Sequence, residues 1–184
     1  MADLEATVSA RIGWSWKDGA DDNHKAAFKK NFLNGSGQDQ ADAIWWREDL
    51  ALADGAAHYW ELDQLVRSVL GHDITIAYSR IKGILIINSG SSDGILIVGN
   101  SEYDTWWEPF GALNDTVECP VDSPLMLCNR KDGWPVTGEA SPSSSSGESG
   151  SDRVLKVAAS GGIATYDIAI LGAEAAFVSS SSAP

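Results

Sequence analysis

Recognisable catalytic and ligand-binding motifs are absent from this chain of 184 residues. The sequence contains no P-loop, no Gly-x-Ser-x-Gly nucleophile motif and no glycine-rich dinucleotide fingerprint. Its three histidines do not stand at metal-ligand spacings, and its acidic segment at 18–23 lacks the spacing and distal Glu of a calcium loop. We therefore expect no enzymatic activity, no catalytic residues, no metal and no cofactor.

Positive charge and long apolar runs are also scarce. The chain has 13 Lys and Arg against 26 Asp and Glu, and only Lys25, Lys29 and Lys30 form a small basic cluster. A formal net charge of -13 repels phosphates at long range, so we expect no nucleic-acid partner. The longest apolar runs, 83–87 and 95–99, are too short to span a membrane. With no signal-peptide pattern at the N-terminus, we expect a soluble protein made in the cytoplasm.

Cysteine is rare, with Cys119 and Cys128 as the two examples. Two cysteines without a secretory signal do not form a disulfide framework. They flank a short Pro-containing connection, so neighbouring strands could bring them together. Buried free thiols are the favoured interpretation, and a bond between them stays open.

Alternation of apolar and polar residues is the main pattern that is present. Apolar residues occupy every second position from Leu4 to Trp16, which predicts a long strand with its even-numbered side chains facing a core. Segment 43–52 also predicts a strand, and its alternation slips near Arg47, which indicates a bulge. Segment 81–88 is predominantly apolar and predicts a strand buried on both faces. We interpret 24–33 as a further strand and 66–70 as one helical turn.

Turn signals separate these segments. A polar turn is predicted at 18–23 and a tight turn at 34–37. The Ser/Gly stretch 88–94 predicts a hairpin between 81–88 and 95–99. Asp132-Gly133 predicts another hairpin, between 125–129 and 134–137. Frequent turns without a long helical pattern predict an all-β sandwich of jelly-roll type, with few or no helices.

Domain organisation follows from length and composition. At this length we expect a single β-sandwich domain covering 1–172. Residues 138–152 form a Ser/Gly-rich excursion within it, and 173–184 form a Ser-rich C-terminal tail.

Tryptophan is the residue type that most suggests recognition. Trp45-Trp46 and Trp106-Trp107 are tandem pairs, so within a strand one ring of each pair would face outward. With Phe110, they are our candidate partner contacts. An exposed indole fits either a subunit contact or stacking on a sugar. The alternative is that loops of the same domain cover every ring.

Several short segments resemble small virion proteins of tailed bacteriophages. The resemblance is carried by 34–37 followed by Gln-Ala-Asp-Ala-Ile-Trp at 40–45, by 74–76 with 81–84, and by 134–137 with 166–168 and 171–172. It runs in patches from about residue 6 to residue 172 and involves no catalytic motif. The excursion at 141–151 and the tandem tryptophans depart from the family pattern.

The resemblance implies a virion component made in the host cytoplasm. Head decoration, or cement, proteins of such phages are commonly small β domains present in many copies, so the major capsid protein or other virion subunits are the expected partners. A homo-oligomer is expected, with a trimer favoured. The alternative is a tail- or fibre-associated β-sandwich that binds a receptor or carbohydrate.

Overall fold

A computed structural model describes residues 4–17, 21–69, 71–101, 104–136 and 152–174. Every regular element in these ranges is a β-strand, which confirms the predicted all-β class. No helix in the described part of the chain is long and apolar enough to cross a membrane. The strands are β1 (Ala6–Lys17), β2 (Asp21–Phe32), β3 (Ala43–Leu52), β4 (Ala57–Glu61), β5 (Leu65–Val69), β6 (His72–Ile76), β7 (Tyr78–Asn88), β8 (Ile95–Gly99), β9 (Thr116–Cys119), β10 (Ser123–Cys128), β11 (Trp134–Pro135), β12 (Val154–Ser160) and β13 (Ala164–Glu174).

Two antiparallel sheets form the body of the molecule. The first sheet has the order β10-β7-β13-β3, with β11 also paired to β7, and the second has the order β4-β12-β8-β9. The pairs β3/β4, β7/β8, β9/β10 and β12/β13 each place one strand in either sheet, so the chain crosses between the sheets four times through short turns. The inward residues of both sheets form one hydrophobic core. The predicted sandwich is therefore confirmed.

Two hairpins lie outside the sandwich. Strands β1 and β2 pair with each other from Ala6↔Phe32 to Lys17↔Asp21, and we call this hairpin the arm. Strands β5 and β6 form a second, shorter hairpin between β4 and β7 in the chain. The strand predicted at 24–33 is confirmed by β2, whereas the helical turn predicted at 66–70 is wrong because that segment is β5.

The bulge predicted near Arg47 is present in the first sheet. Leu50 lies opposite Tyr166 and Arg47 opposite Ile168, so two residues of β3 face the single Asp167 between them. Asp49, one of those two, has a positive φ of 54°. Its backbone N–H donates to Asp167 Oδ1 at 2.9 Å, which gives the extra residue a hydrogen-bond partner.

Two predicted hairpins are wrong. Strands β7 and β8 do not pair, because the turn between them carries the chain from the first sheet to the second. Strands β10 and β11 do not pair with each other either, since both run along the same edge of β7. The Ser/Gly turn at 88–94 does not specify which sheet receives the next strand, and after Asp132-Gly133 the chain resumes the direction of β10, since β10 and β11 are both antiparallel to β7.

The ends of two predicted segments also need correction. Residues 21–23 of the polar turn expected at 18–23 belong to β2, and 18–20 lie outside the described residues. The C-terminal tail starts later than 173, because β13 continues to Glu174. The rest of the tail, and the excursion at 138–152 apart from Asp152, lie outside the described residues. Cys119 and Cys128 are free cysteines, as predicted, but only Cys119 is buried as expected, since Cys128 is half-buried.

Candidate interaction surface

The tandem pair on β3 divides between the two faces of the first sheet, as strand alternation predicts. Trp45 is 1% exposed, donates from Nε1 to the Val66 carbonyl at 3.0 Å, and lies 4.9 Å from the Trp60 ring. Trp46 is 39% exposed on the outer face. The Arg67 guanidinium lies 3.5 Å from its ring centroid, in a cation–π contact. Trp46 is therefore available to a partner, and Trp45 belongs to the core.

The second tandem pair does not lie in a strand. Trp106 is fully buried, donates from Nε1 to the Pro135 carbonyl at 2.8 Å, and meets Phe110 and Trp134 edge-on. Trp107 and Phe110 are half-buried in the loop between β8 and β9. Trp106 is a core residue, so the strand geometry expected for this pair is wrong and a contact function is left to its two neighbours.

The loop that holds the second pair is acidic and partly desolvated. The indole of Trp107 hydrogen-bonds the Asp152 carboxylate, although burial is the stronger influence and raises the pKa of that carboxyl. Burial also raises the pKa of Glu108, with a smaller contribution from the nearby Asp152 charge. This loop closes one end of the sandwich, at the end opposite the four crossing turns.

The outer face of the first sheet contains an apolar row. Trp46, Ala169, Leu85 and Met126 lie side by side on four adjacent strands, because each is the direct pairing partner of the next. Residues on either side of this row along β7 and β13 point into the core, so these four side chains face away from it. We call this set the outer row. Such a face of an antiparallel sheet is usually polar when water covers it.

The base of the arm covers the neighbouring row. Ile44, Leu171, Gly83 and Cys128 are also direct neighbours across the four strands. Leu4, Ala6, Val8 and Phe32 contact this row, and Phe32 and Leu171 are 4% and 7% exposed. A Cβ built at Gly83 would lie 3.6 Å from Val8 Cγ2, an ordinary van der Waals distance, so the arm base packs directly over this position of the row.

Among the described side chains of the arm, burial against the sheet ends at Val8 and Phe32. Leu4, Ala6 and Val8 are half-buried, as predicted, but Ala10 is exposed, and Phe28 opposite it is 41% exposed. The prediction that all even-numbered residues of β1 face a core is therefore wrong at Ala10, the last of them whose side chain the structure describes, because Ala10 lies beyond the cluster that buries Leu4, Ala6 and Val8. The side chains of 12–17 lie outside the described ones.

The expectation for 81–88 is met only in part, and the exception falls at the outer row. Residues 81–84 are all buried, whereas Leu85 is half-buried and Ile87 is 39% exposed. The second half of β7 has the composition of a strand covered on both faces, but its outward side chains remain partly exposed. On the far side of the outer row, Ile87 lies beside Asp167 and Pro124.

A polar network at the opposite side of the core is satisfied by its own members. The Tyr166 hydroxyl lies 2.9 Å from His58 Nδ1 and accepts from Trp60 Nε1 at 3.2 Å. Because an indole N–H only donates, the hydroxyl proton is free for His58 Nδ1, which then accepts as a neutral ring. Burial lowers the pKa of His58, in agreement with that state. In the described ranges, no group of three or more His, Cys, Asp or Glu could hold a metal ion.

No protein-family model matches this chain, and neither a curated protein nor a solved structure was found to be similar to it.

Proposed function

We propose that this chain is a structural protein of a tailed-bacteriophage particle, most simply a decoration protein that stabilises the head through subunit contacts. The observation that carries the proposal is the outer row, an apolar set on the outer face of the first sheet that is exposed at Trp46 and half-buried at its other three members. A monomer in water gains nothing from such a face, whereas a subunit that is always seated on others does. The patchy resemblance to phage virion proteins supports the same class.

The strand order gives further support. Eight strands form two four-stranded sheets in the orders β10-β7-β13-β3 and β9-β8-β12-β4, so each strand lies across from its neighbour in the chain. We infer from this order that the sandwich is a jelly roll, a fold used by viral capsid proteins and by lectins. A fold of this kind is compatible with the proposed role, although fold alone does not specify function.

In this proposal the protein is not an enzyme and works without a cofactor. Its partners are the major capsid protein or other virion subunits, together with further copies of itself, and it resides in the virion after synthesis in the host cytoplasm. Trp46 is the best-placed contact of the five candidates, and the half-buried Trp107 and Phe110 are secondary ones. A rigid β domain loses little conformational entropy on docking, which suits this role.

A carbohydrate- or receptor-binding module of the tail or fibre is the alternative. It is favoured by the two exposed aromatics that each stand under a cation, Trp46 under Arg67 and Tyr59 with Lys156 at 6.0 Å. Aromatic faces beside polar groups are suited to stacking on sugar rings. They lie on the outer faces of different sheets, so they cannot form one platform.

Localisation on particles tests the proposal directly. Antibodies raised against the purified chain are applied to phage particles recovered from the source culture, and bound label is imaged. Regular label on heads is the expected result. Label confined to tails replaces the proposal by the alternative, and the chain's absence from purified particles by mass spectrometry overturns both.

A variant at Trp46 then tests whether binding to the particle depends on the outer row. Trp46→Gln should reduce occupancy on particles stripped of the protein, while Ile163→Ser should not. Ile163 is 58% exposed at the crossing-turn end, away from the outer row, and so serves as the matched control. Equal occupancy for the two variants contradicts a role for Trp46. Wild-type binding on a glycan array that Trp46→Gln loses would favour the alternative.

A further inference from the structure

Three features of the described residues remain without a use in the body of the molecule: the distal arm, the outer row and the separation of charge between them. The two strands of the arm stay paired beyond Ala10 and Phe28, a pair whose side chains are exposed. Beyond this pair, seven further residue pairs run from Arg11↔Ala27 to Lys17↔Asp21. At about 3.4 Å per residue this length is about 24 Å, enough to reach across a neighbouring subunit.

We propose that the arm of one copy docks on the outer row of a second copy of this chain. The contact would extend one that the structure already contains, because the arm base lies on the adjacent row of the same sheet face. The apolar positions of the arm continue in the sequence at Ile12, Trp14 and Trp16, with the same spacing that places Ala6 and Val8 on the sheet. An arm and a sheet face that fit within one copy have complementary chemistry between copies.

Charge complementarity favours a second copy as the occupant. Residues 4–32 carry five Lys or Arg and four Asp or Glu, a net charge of +1. Residues 33–184 carry eight and 21 respectively, a net charge of -13. Arg11, Lys29 and Lys30 are exposed on the arm, and the acids Glu48 and Asp49 are exposed beside the outer row. The arm is therefore the segment of this chain least repelled by the acidic body of another copy.

The proposed contact joins two different surfaces, the arm of one copy and the outer row of the next. Such a heterologous contact generates a ring when its rotation closes, or a two-fold exchanged dimer when two copies swap arms. The inference deepens the homo-oligomer part of the proposed function and rests on it in that respect. It concerns contacts between copies only, so it can be tested without particles.

The experiment measures self-association of the full chain by sedimentation equilibrium. Phe28→Glu alters the arm, Trp46→Glu alters the outer row, and both positions are about 40% exposed, at 41% and 39%. Each variant should weaken association at least tenfold, which corresponds to about 1.4 kcal/mol. Tyr59→Glu is the matched control, because Tyr59 is an exposed aromatic on an edge strand of the second sheet, and it should leave association unchanged.

Mixing the two variants provides the sharpest readout. The Phe28→Glu copy keeps an intact outer row and the Trp46→Glu copy keeps an intact arm, so the mixture should form a one-to-one complex and nothing larger. Circular dichroism checks that both variants fold. If one does not, Phe28→Ser or Trp46→Gln takes its place.

Three results would overturn arm exchange: a wild-type chain that is monomeric at its highest soluble concentration, a loss of association in only one of the two variants, or no one-to-one complex on mixing. Wild-type particles labelled by a chain that stays monomeric would preserve the proposed function and remove this inference. An oligomer that depends on the arm but is not found on particles would keep this inference and overturn the proposed function.

Discussion

The outer faces of the two sheets differ in how apolar they are, although their inner faces contribute to the same core. On the first sheet, Trp46, Ala169, Leu85 and Met126 form an unbroken apolar row. On the second, Ala57, Ala158, Ile97 and Glu118 occupy the corresponding positions on adjacent strands, and Lys156 lies beside Tyr59. The outward row of the second sheet is therefore mixed, since it combines two alanines and a glutamate with the single large apolar side chain of Ile97, whereas the row on the first sheet has no charged member.

This difference makes the outer face of the first sheet the better candidate for the proposed contact. Both inner faces contribute to the same core, so the need for a stable sandwich is met equally by the two sheets. An apolar outer face adds nothing to that core. The arm base occupies part of the first sheet's outer face, which shows that this face accepts a strand pair as a cover. The second sheet has no such cover among the described residues.

The largest expected effect is a loss of stability on the first sheet where the arm base covers it, measured against the outer face of the second sheet. Phe32→Ala removes a side chain that is 4% exposed between the arm and Leu171, and should lower the free energy of unfolding by about 3 kcal/mol. Ile97→Ala removes a half-buried side chain from the outer face of the second sheet and should cost about 1 kcal/mol. Urea unfolding of both variants checks the difference. Equal losses would mean that the arm base is not part of the folded body.

A smaller effect concerns the bulge, which the first sheet has at Asp49. Asp49→Val places a β-branched residue at a φ of 54° and should cost about 1–2 kcal/mol, whereas Asp49→Gly should be nearly neutral because glycine adopts that conformation freely. Glu118→Val in the regular strand β9 is the control and should change stability by less than about 0.5 kcal/mol. The three variants are compared by their denaturation midpoints. A neutral Asp49→Val would remove the argument that the bulge is strained.

Strand positions could be predicted well from the sequence, and pairings could not. The alternation at 43–52 gave both bounds of β3 and the bulge after Arg47, because the side-chain period is local. The partner of β7 depends on which sheet receives the chain after 88–94, and a turn of serines and glycines serves a hairpin or a crossing equally well. Sheet order is set by the whole core, which no single segment encodes.

The candidate surface was recognised in part. The tandem Trp45-Trp46 pair predicted one outward ring, and the outward ring is Trp46. The outer row itself joins residues that are far apart in sequence, so it becomes visible only once β3, β13, β7 and β10 are side by side. The one local signal was the two-sided apolar composition of 81–88. Trp106 gave a misleading signal because its loop position hides it.

The stability of the contact between the two sheets at His58 and Tyr166 should depend on pH. His58 of the second sheet contacts Tyr166 of the first, and its folded pKa lies below the usual 6.5. The unfolded chain therefore binds this proton more readily, and stability should fall as pH decreases through about 6.5 toward the folded pKa. His58→Gln retains an acceptor for the Tyr166 hydroxyl and should lose that part of the slope. Buried carboxyls such as Glu108 act in the opposite direction, so the slopes of wild type and variant are compared in parallel. Identical slopes would contradict a neutral, buried role for His58.

The smallest expected effect is the change in the free energy of unfolding when either outward aromatic is replaced in an isolated chain. Trp46 stands 3.5 Å under Arg67 and Tyr59 lies 6.0 Å from Lys156, so both make cation–π contacts at the surface. Removing the closer one in Trp46→Gln should cost about 0.5–1 kcal/mol, and Tyr59→Gln should cost less. Chemical denaturation in dilute solution, where copies are separated, gives both values. A loss of several kcal/mol for Trp46→Gln under those conditions would place this side chain in the folding core and would leave the outer row without its main contact residue. A small loss, together with weakened association, would assign Trp46 to the partner.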